Sequence, residues 1–261
     1  MHDFDADNEA LVRAVIDHAL KRMADEPTMQ PVKDARELRD LVGETVTTEG
    51  LGGTEALRRY VEHLGPSNIA ADNPRYLAFV AGAPTPAASA FDFVVASSSV
   101  AGSSWLDGAG MVYAENQALR WIADLAGLPD SAGGCFATGG TMGNLSALVT
   151  ARDVAIRERT AAGRDRPGRW AVVASASTHA SIDSAARVMD VDVILADLDD
   201  ELRLTGAAVT EAIDGQPEGT EVFAVVATAG TTNVGVVDAL DSVADACATV
   251  GAWFHVDGAY G

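Results

Sequence analysis

The sequence predicts an α/β fold, a mostly parallel sheet with helices on both faces, preceded by an amino-terminal helical segment. Three observations predict it. From about residue 112, short apolar runs alternate with stretches of helical spacing, the rhythm of crossover units. The runs are continuous rather than alternating polar and apolar, as expected of strands covered on both sides. Glycine, threonine, histidine and aspartate then fall just after predicted strands, at 138–144, 175–179, 228–232 and 257. In open parallel sheets, ligands sit outside the carboxyl ends of the strands. Four separate segments are therefore expected at one edge.

The elements follow in order. Leu11, Val12, Val15, Ile16, Ala19, Leu20 and Met23 recur at helical spacing and predict a helix over 8–24, ended by Pro27 and Pro31. A second helix is expected over 54–64, with Thr54 as its cap and Gly65-Pro66 as its stop. The stretch 65–110, rich in Pro, Gly, Ser and Ala, predicts loops with a short helix or two. Leu119, Ile122 and Leu125 stripe a helix over 112–127, and Cys135-Phe136-Ala137 reads as a short strand. Leu145, Leu148, Val149 and Ile156 stripe another helix over 141–160. Strands at 171–174, 191–195, 222–227 and 253–256 then alternate with helices at 180–189, 206–214 and 238–250. Two domains are expected, a helical and loop segment over 1–85 and a large domain over 86–261.

Composition excludes several classes. The chain has 261 residues, 48% of them apolar, which suffices for a large core. No apolar run approaches the roughly 20 residues of a membrane span. The opening residues are acidic and polar, unlike a secretory signal, so a cytoplasmic protein is expected. Cys135 and Cys247 are read as reduced thiols. A formal charge of −20 argues against nucleic-acid partners, which require clustered Lys and Arg. The histidines are scattered and neither cysteine has a neighbour at ligand spacing, so no metal site is expected. The Gly-x-Ser-x-Gly elbow of α/β-hydrolases is absent.

In Thr138-Gly-Gly-Thr-Met-Gly-Asn144, glycines between strand and helix let the backbone approach an anion, and the helix start offers free N–H groups. Thr141 can add a hydroxyl donor. The segment is neither a P-loop nor a dinucleotide fingerprint, and such glycines also serve ordinary turns. Asp257 closes an apolar strand, where a carboxylate is costly without a positive partner. Its partner is either an arginine or helix cap, or a protonated pyridine nitrogen, whose charge makes a cofactor ring a good electron sink. His255, two residues earlier on the same strand face, reads as support or core. His179 is either a cap or an imidazole stacked on a flat ring. Thr228 and Gly230-Thr231-Thr232 read as polar lining or as a plain turn.

With these residues in place, the chain resembles the group II pyridoxal phosphate-dependent decarboxylases. These are fold-type I enzymes that include the glutamate, aromatic amino acid, histidine and diaminobutyrate decarboxylases. The resemblance covers roughly 70–261. Asn73-Pro-Arg-Tyr76 looks like the family's aromatic entry segment, and Gly134–Asn144 followed by Ala151-Arg152 looks like its phosphate-binding turn and helix. Thr178-His179-Ala-Ser181 resembles the stacking histidine segment, Thr228 with Gly230-Thr-Thr232 the turn beneath the ring, and His255-Val-Asp257-Gly-Ala259-Tyr the pyridinium-binding strand. Gly258 departs from the alanine the family often carries there.

The resemblance implies decarboxylation of an L-amino acid to the amine and carbon dioxide, with pyridoxal 5'-phosphate as cofactor. It implies cofactor contacts from Gly140, Thr141, His179, Thr228, Asp257 and Ala259, with His179 and Asp257 taking part in catalysis. It further implies a homodimer with the amino-terminal helices on the partner. Tyr76, Phe79 and Trp105 are candidates for an aromatic pocket or for core; the substrate is not readable. An aminotransferase, a carbon–sulfur lyase and a noncatalytic homologue are the alternatives. The family's Schiff-base lysine lies some tens of residues past the aspartate strand, whereas the only lysines here are Lys21 and Lys33, which match no motif. The expectation is a piece of a longer or split enzyme, inactive by itself.

Overall fold

A computed structural model describes residues 4–27, 29–79 and 82–261. The chain forms two compact units, Met1–Val112 and Tyr113–Gly261.

The first unit is helical. Helix α1 (Ala6–Ala24) is capped by Asp5, whose carboxylate accepts the Asn8 N–H at 2.9 Å, and carries Lys21 and Arg22 in its last turn, where cations suit the helix dipole. Its predicted stripe is only lightly covered: Leu11 lies close against Gly53, whereas Leu20 and Met23 are exposed. Helix α2 (Ala35–Val42) opens on a capping box between Asp34 and Glu37. Helix α3 (Gly53–Arg59) runs into a π turn at Tyr60–Leu64 and a 3-10 turn at Gly65–Ser67, as Gly65-Pro66 led one to expect of the stop. Thr54 is not the cap. Gly52, at φ 74°, takes that place with no side-chain bond, because a glycine pair lets the helix begin upstream of the threonine. Helices α4 (Pro86–Ser98) and α5 (Trp105–Leu125) complete this half of the chain, with the division between units falling inside α5.

The second unit is a layered α/β structure. It contains α6 (Gly140–Ala161), β1 (Arg169–Ser175), α7 (Ser181–Met189), β2 (Asp192–Ala196), α8 (Gly206–Asp214), β3 (Thr220–Thr228), α9 (Leu240–Val250) and β4 (Trp253–Asp257). The four strands run parallel in the order β2-β1-β3-β4. Successive strand residues feed opposite layers. Val172, Ala174, Ala224 and Val226 pack with Leu148 of α6 and Ile182, Ala185 and Met189 of α7. Ala171, Val173, Val225 and Ala227 pack with Val209 of α8 and Val243 and Cys247 of α9. Each fully buried valine contributes about 1.5–3 kcal/mol. Burial on both sides is why these strands read as unbroken apolar runs.

The topology also fixes where a ligand belongs. From β1 the chain steps one way to β2 through α7, then doubles back past β1 to β3 and β4 through α8 and α9 on the other face. Right-handed crossovers require that change of face when the direction reverses. The reversal leaves a crevice outside the carboxyl ends of β1 and β3.

One predicted strand is not found. Residues 135–137 form no strand, and Phe136 is 61% exposed. A run of three apolar residues is a strand only with a neighbour to pair, and no described strand pairs with it here.

Candidate functional site

Four segments meet at the carboxyl edge of the sheet. The turn before α6 depends on Gly139, whose φ of 126° is closed to other residues. Gly140 then starts the helix so near the end of β4 that a Cβ added to it would lie 3.2 Å from the Ala259 Cβ. The N–H groups of a first helical turn have no acceptors within the helix, and Thr141 is exposed beside them. The turn therefore fits an anion, though it follows an irregular segment rather than the expected strand.

Asp257 is 6% exposed at the end of β4. One carboxylate oxygen accepts from Asn144 Nδ2 at 2.9 Å and the other from the Ala259 N–H at 3.1 Å. Among the described residues it has no guanidinium partner. The alternative of a structural ion pair to arginine is therefore not what this strand end provides.

Asn144, itself buried, stands on α6 and bonds in three directions. Besides Asp257, its Nδ2 donates to Ser181 Oγ at 2.9 Å, and its Oδ1 lies 2.8 Å from His255 Nε2. Ser181 in turn joins His179: its Oγ lies 2.9 Å from His179 Nδ1, and its N–H donates to the same nitrogen at 3.2 Å. The His179 ring is exposed at the mouth of the site. His255 is held below the ordinary imidazole range by burial, with the Asp257 charge opposing that shift.

Thr228 sits opposite Asp257 in the β3/β4 ladder. Its N–H donates to Asp238 Oδ2 at 2.7 Å, and its hydroxyl is buried with no hydrogen-bond partner. Thr231 differs, because its Oγ1 accepts the Val236 N–H at 3.2 Å and so stitches the turn shut. Gly230, at φ 102°, lets that turn lie against the Tyr260 ring, which a Cβ would meet at 2.9 Å. Asp238 accepts N–H groups from both Leu204 and Thr228, and burial raises its carboxyl above the usual range despite them.

The structure thus gathers Gly140, Thr141, His179, Thr228, Asp257 and Ala259 at one edge. Sequence reasoning left Asn144 and Ser181 without a role, although both lie in the quoted motifs. Tyr76, Phe79 and Trp105 belong to the first unit, where Phe79 and Trp105 are exposed. In the same unit Asn73 forms a turn that accepts the Arg75 N–H at 2.8 Å and donates to the Pro27 carbonyl. Lys21 and Lys33 lie there too.

Such a site, on a sheet with this switch of direction, defines the large-domain architecture of fold-type I enzymes. The chain belongs to the pyridoxal-dependent decarboxylase family: residues 69–261 match the pyridoxal-dependent decarboxylase conserved domain. It is 31% identical over 254 residues to an aromatic-L-amino-acid decarboxylase of Bacillus atrophaeus, covering 96% of this chain and 51% of that protein. Over 163 residues it is 37% identical to the L-2,4-diaminobutyrate decarboxylase of Rhizobium meliloti, covering 60% of this chain and 31% of the relative. Among solved structures, the glutamate decarboxylase domain of a Vibrio parahaemolyticus diaminobutyrate protein superposes with a TM-score of 0.84 at 24% identity, covering 100% of this chain and 60% of that one. The Oryza sativa TDC with PLP and tryptamine gives 0.83 at 25% identity, covering 98% and 56%. The chain spans about half the length of the Bacillus relative.

The family's cofactor is pyridoxal 5'-phosphate, and the residues present fit it. The glycine-opened helix start suits a phosphate, the arginine-free carboxylate of Asp257 suits a cationic ring nitrogen, and the buried Thr228 hydroxyl lacks a partner from the protein itself.

Proposed function

We propose that this chain provides the cofactor-binding sheet edge for pyridoxal phosphate-dependent decarboxylation of an L-amino acid to the amine and carbon dioxide. The observation that carries the reading is the buried Asp257 carboxylate, bonded only to neutral donors and set beside a helix start able to seat a phosphate. When bound, the cofactor supplies an electron sink for the pair left behind by the departing carboxylate. Gly140 and Thr141 anchor the phosphate, and Asp257 keeps the ring nitrogen protonated. His179 covers one ring face, Thr228 donates to the ring or its substituents, and the Ala259 N–H fixes the carboxylate. Fixed dipoles and charges of this kind in a closed site are worth about 10²–10³ in rate each.

The lysine that the family resemblance implies is assigned to neither Lys21 nor Lys33. No helix among the described residues is long and apolar enough to cross a membrane, and a cytoplasmic setting belongs to the proposal. So does a homodimer, supported by the exposed Leu20 and Met23 of α1, which a partner chain would cover. The expected division at 85/86 is kept as part of the proposal, whereas the compact units divide at 112/113; the proposed cofactor contacts all lie in the second unit.

Equilibrium titration of the chain with pyridoxal phosphate, followed by tryptophan quenching, tests the binding. Saturable binding that falls at least tenfold in Asp257→Ala is expected, as for loss of a contact to a charged group. Binding indifferent to that substitution overturns the reading. With the chain in its native enzyme, amino acids should yield amine and carbon dioxide. Accumulation of keto acid in place of amine assigns an aminotransferase.

A further inference from the structure

Resting on the reading of this edge as a pyridoxal phosphate site, we propose that Asn144 is a positioning residue. Its single amide orients both Asp257, for the ring nitrogen, and His179, for the ring face, through a hydrogen-bond chain with only one possible direction.

The direction follows from what each group can do. An ionised carboxylate only accepts, so the Asn144 atom 2.9 Å from Asp257 Oδ2 is the NH2 nitrogen. Its second hydrogen points to Ser181 Oγ at 2.9 Å. Ser181 Oγ, already accepting, turns its own hydrogen to His179 Nδ1 at 2.9 Å, where the Ser181 N–H also donates. The neutral His179 ring therefore carries its hydrogen on Nε2, away from Ser181. On the other side Asn144 Oδ1 accepts, so His255 Nε2, 2.8 Å away, is an N–H. Rotating the amide by half a turn would set Oδ1 against the carboxylate, acceptor facing acceptor. Both hydrogens of the amide and its oxygen are thus engaged, and the rotated amide cannot serve the carboxylate.

Asn144 also stands four residues after Gly140 on α6, about 6 Å along the helix axis. One rigid element carries the phosphate seat and the support for the ring nitrogen. Asn144 consequently sets the span between the two ends of the cofactor, and it reaches partners 37 and 113 positions away to do so.

The test has two parts. In the wild-type chain labelled with 15N-histidine, the side-chain nitrogen shifts of His179 and His255, assigned with His179→Gln and His255→Gln, should place the neutral hydrogen on Nε2 in both. A hydrogen on Nδ1 of either ring overturns the proposal without recourse to any Asn144 variant. The second part compares binding of pyridoxal phosphate with its analogue in which the ring nitrogen is replaced by carbon. Wild type should prefer the natural cofactor about tenfold, one charged hydrogen bond's worth. Asn144→Ala should reduce that preference to under about threefold and loosen the His255 tautomer. Asn144→Ser, able to keep only one of the three bonds, replaces it if the alanine variant does not fold. A wild-type chain that shows no preference refutes the Asp257 reading itself. A variant that keeps the full wild-type preference refutes the role of Asn144 alone.

Discussion

The backbone N–H of Thr228 donates to the Asp238 carboxylate at 2.7 Å, while the Thr228 hydroxyl, one side chain away, is buried without a partner. The backbone is fully served and the side chain is not, which separates folding from binding at one residue. Thr228→Val replaces the orphaned hydroxyl by a methyl group of similar shape. The ligand-free chain should gain about 1 kcal/mol in urea unfolding, because an unsatisfied buried donor is relieved. Pyridoxal phosphate affinity should fall about three- to tenfold. A variant that loses stability instead would show that the hydroxyl has a partner in solution.

Asp238 ties two segments to its own through three bonds: its carboxylate accepts the Leu204 N–H at 2.8 Å and the Thr228 N–H at 2.7 Å, and its own N–H donates to the Thr228 carbonyl at 3.0 Å. Asn at this position offers one oxygen and turns an NH2 toward the other donor. Asp238→Asn should therefore cost about 1–3 kcal/mol in denaturant unfolding, even though it removes a charge that burial disfavours. The result would be reversed if the carboxyl were protonated in the fold at neutral pH.

His255 makes stability depend on pH with a defined sign. Burial lowers its pKa from the ordinary 6.5, so across the window between the lowered value and 6.5 the unfolded chain binds more protons than the folded one. Stability must then fall as pH drops through that window. Urea midpoints collected from pH 7.5 to 5 should decline, and His255→Gln should flatten part of the slope. An identical slope in the variant would locate the titration elsewhere.

The two thiols should react very differently. Cys135 is exposed, whereas Cys247 is buried between α9 and the sheet and burial pushes its pKa up to about 11. Thiolates are the reactive form. An aromatic disulfide reagent at pH 8 should titrate one thiol quickly in the folded chain and the second only after denaturant is added. Rapid reaction of both would mean that the α8/α9 layer opens readily.

Much of this architecture was legible because buried parallel strands and their helices differ in period. The predicted helix over 206–214 coincides with α8, and the strands at 171–174 and 222–227 lie inside β1 and β3. Helix α2 went unread: its apolar stripe is too short for periodicity, although Asp34 and Glu37 spell its capping box. The strand expected at 135–137 failed because pairing is a property of neighbours, not of an apolar tripeptide. Asp257 was visible as a costly charge at a strand end. Asn144 was not, since its meaning arises only when α6, α7 and β4 bring Ser181, His255 and Asp257 around it.

The pairing of Thr228 with Asp257 in the β3/β4 ladder has a consequence for variants remote from the chemistry. Side chains alternate along a strand, so a slip of β4 by a single residue would carry the Asp257 carboxylate through the sheet into the oily layer beneath α8 and α9. Phe254, packed against that layer, would have to leave it in such a slip, which opposes the shift. A change at this greasy position is thus a change in the aim of a charge on the opposite side, and damage there would be felt first as misdirected electrostatics.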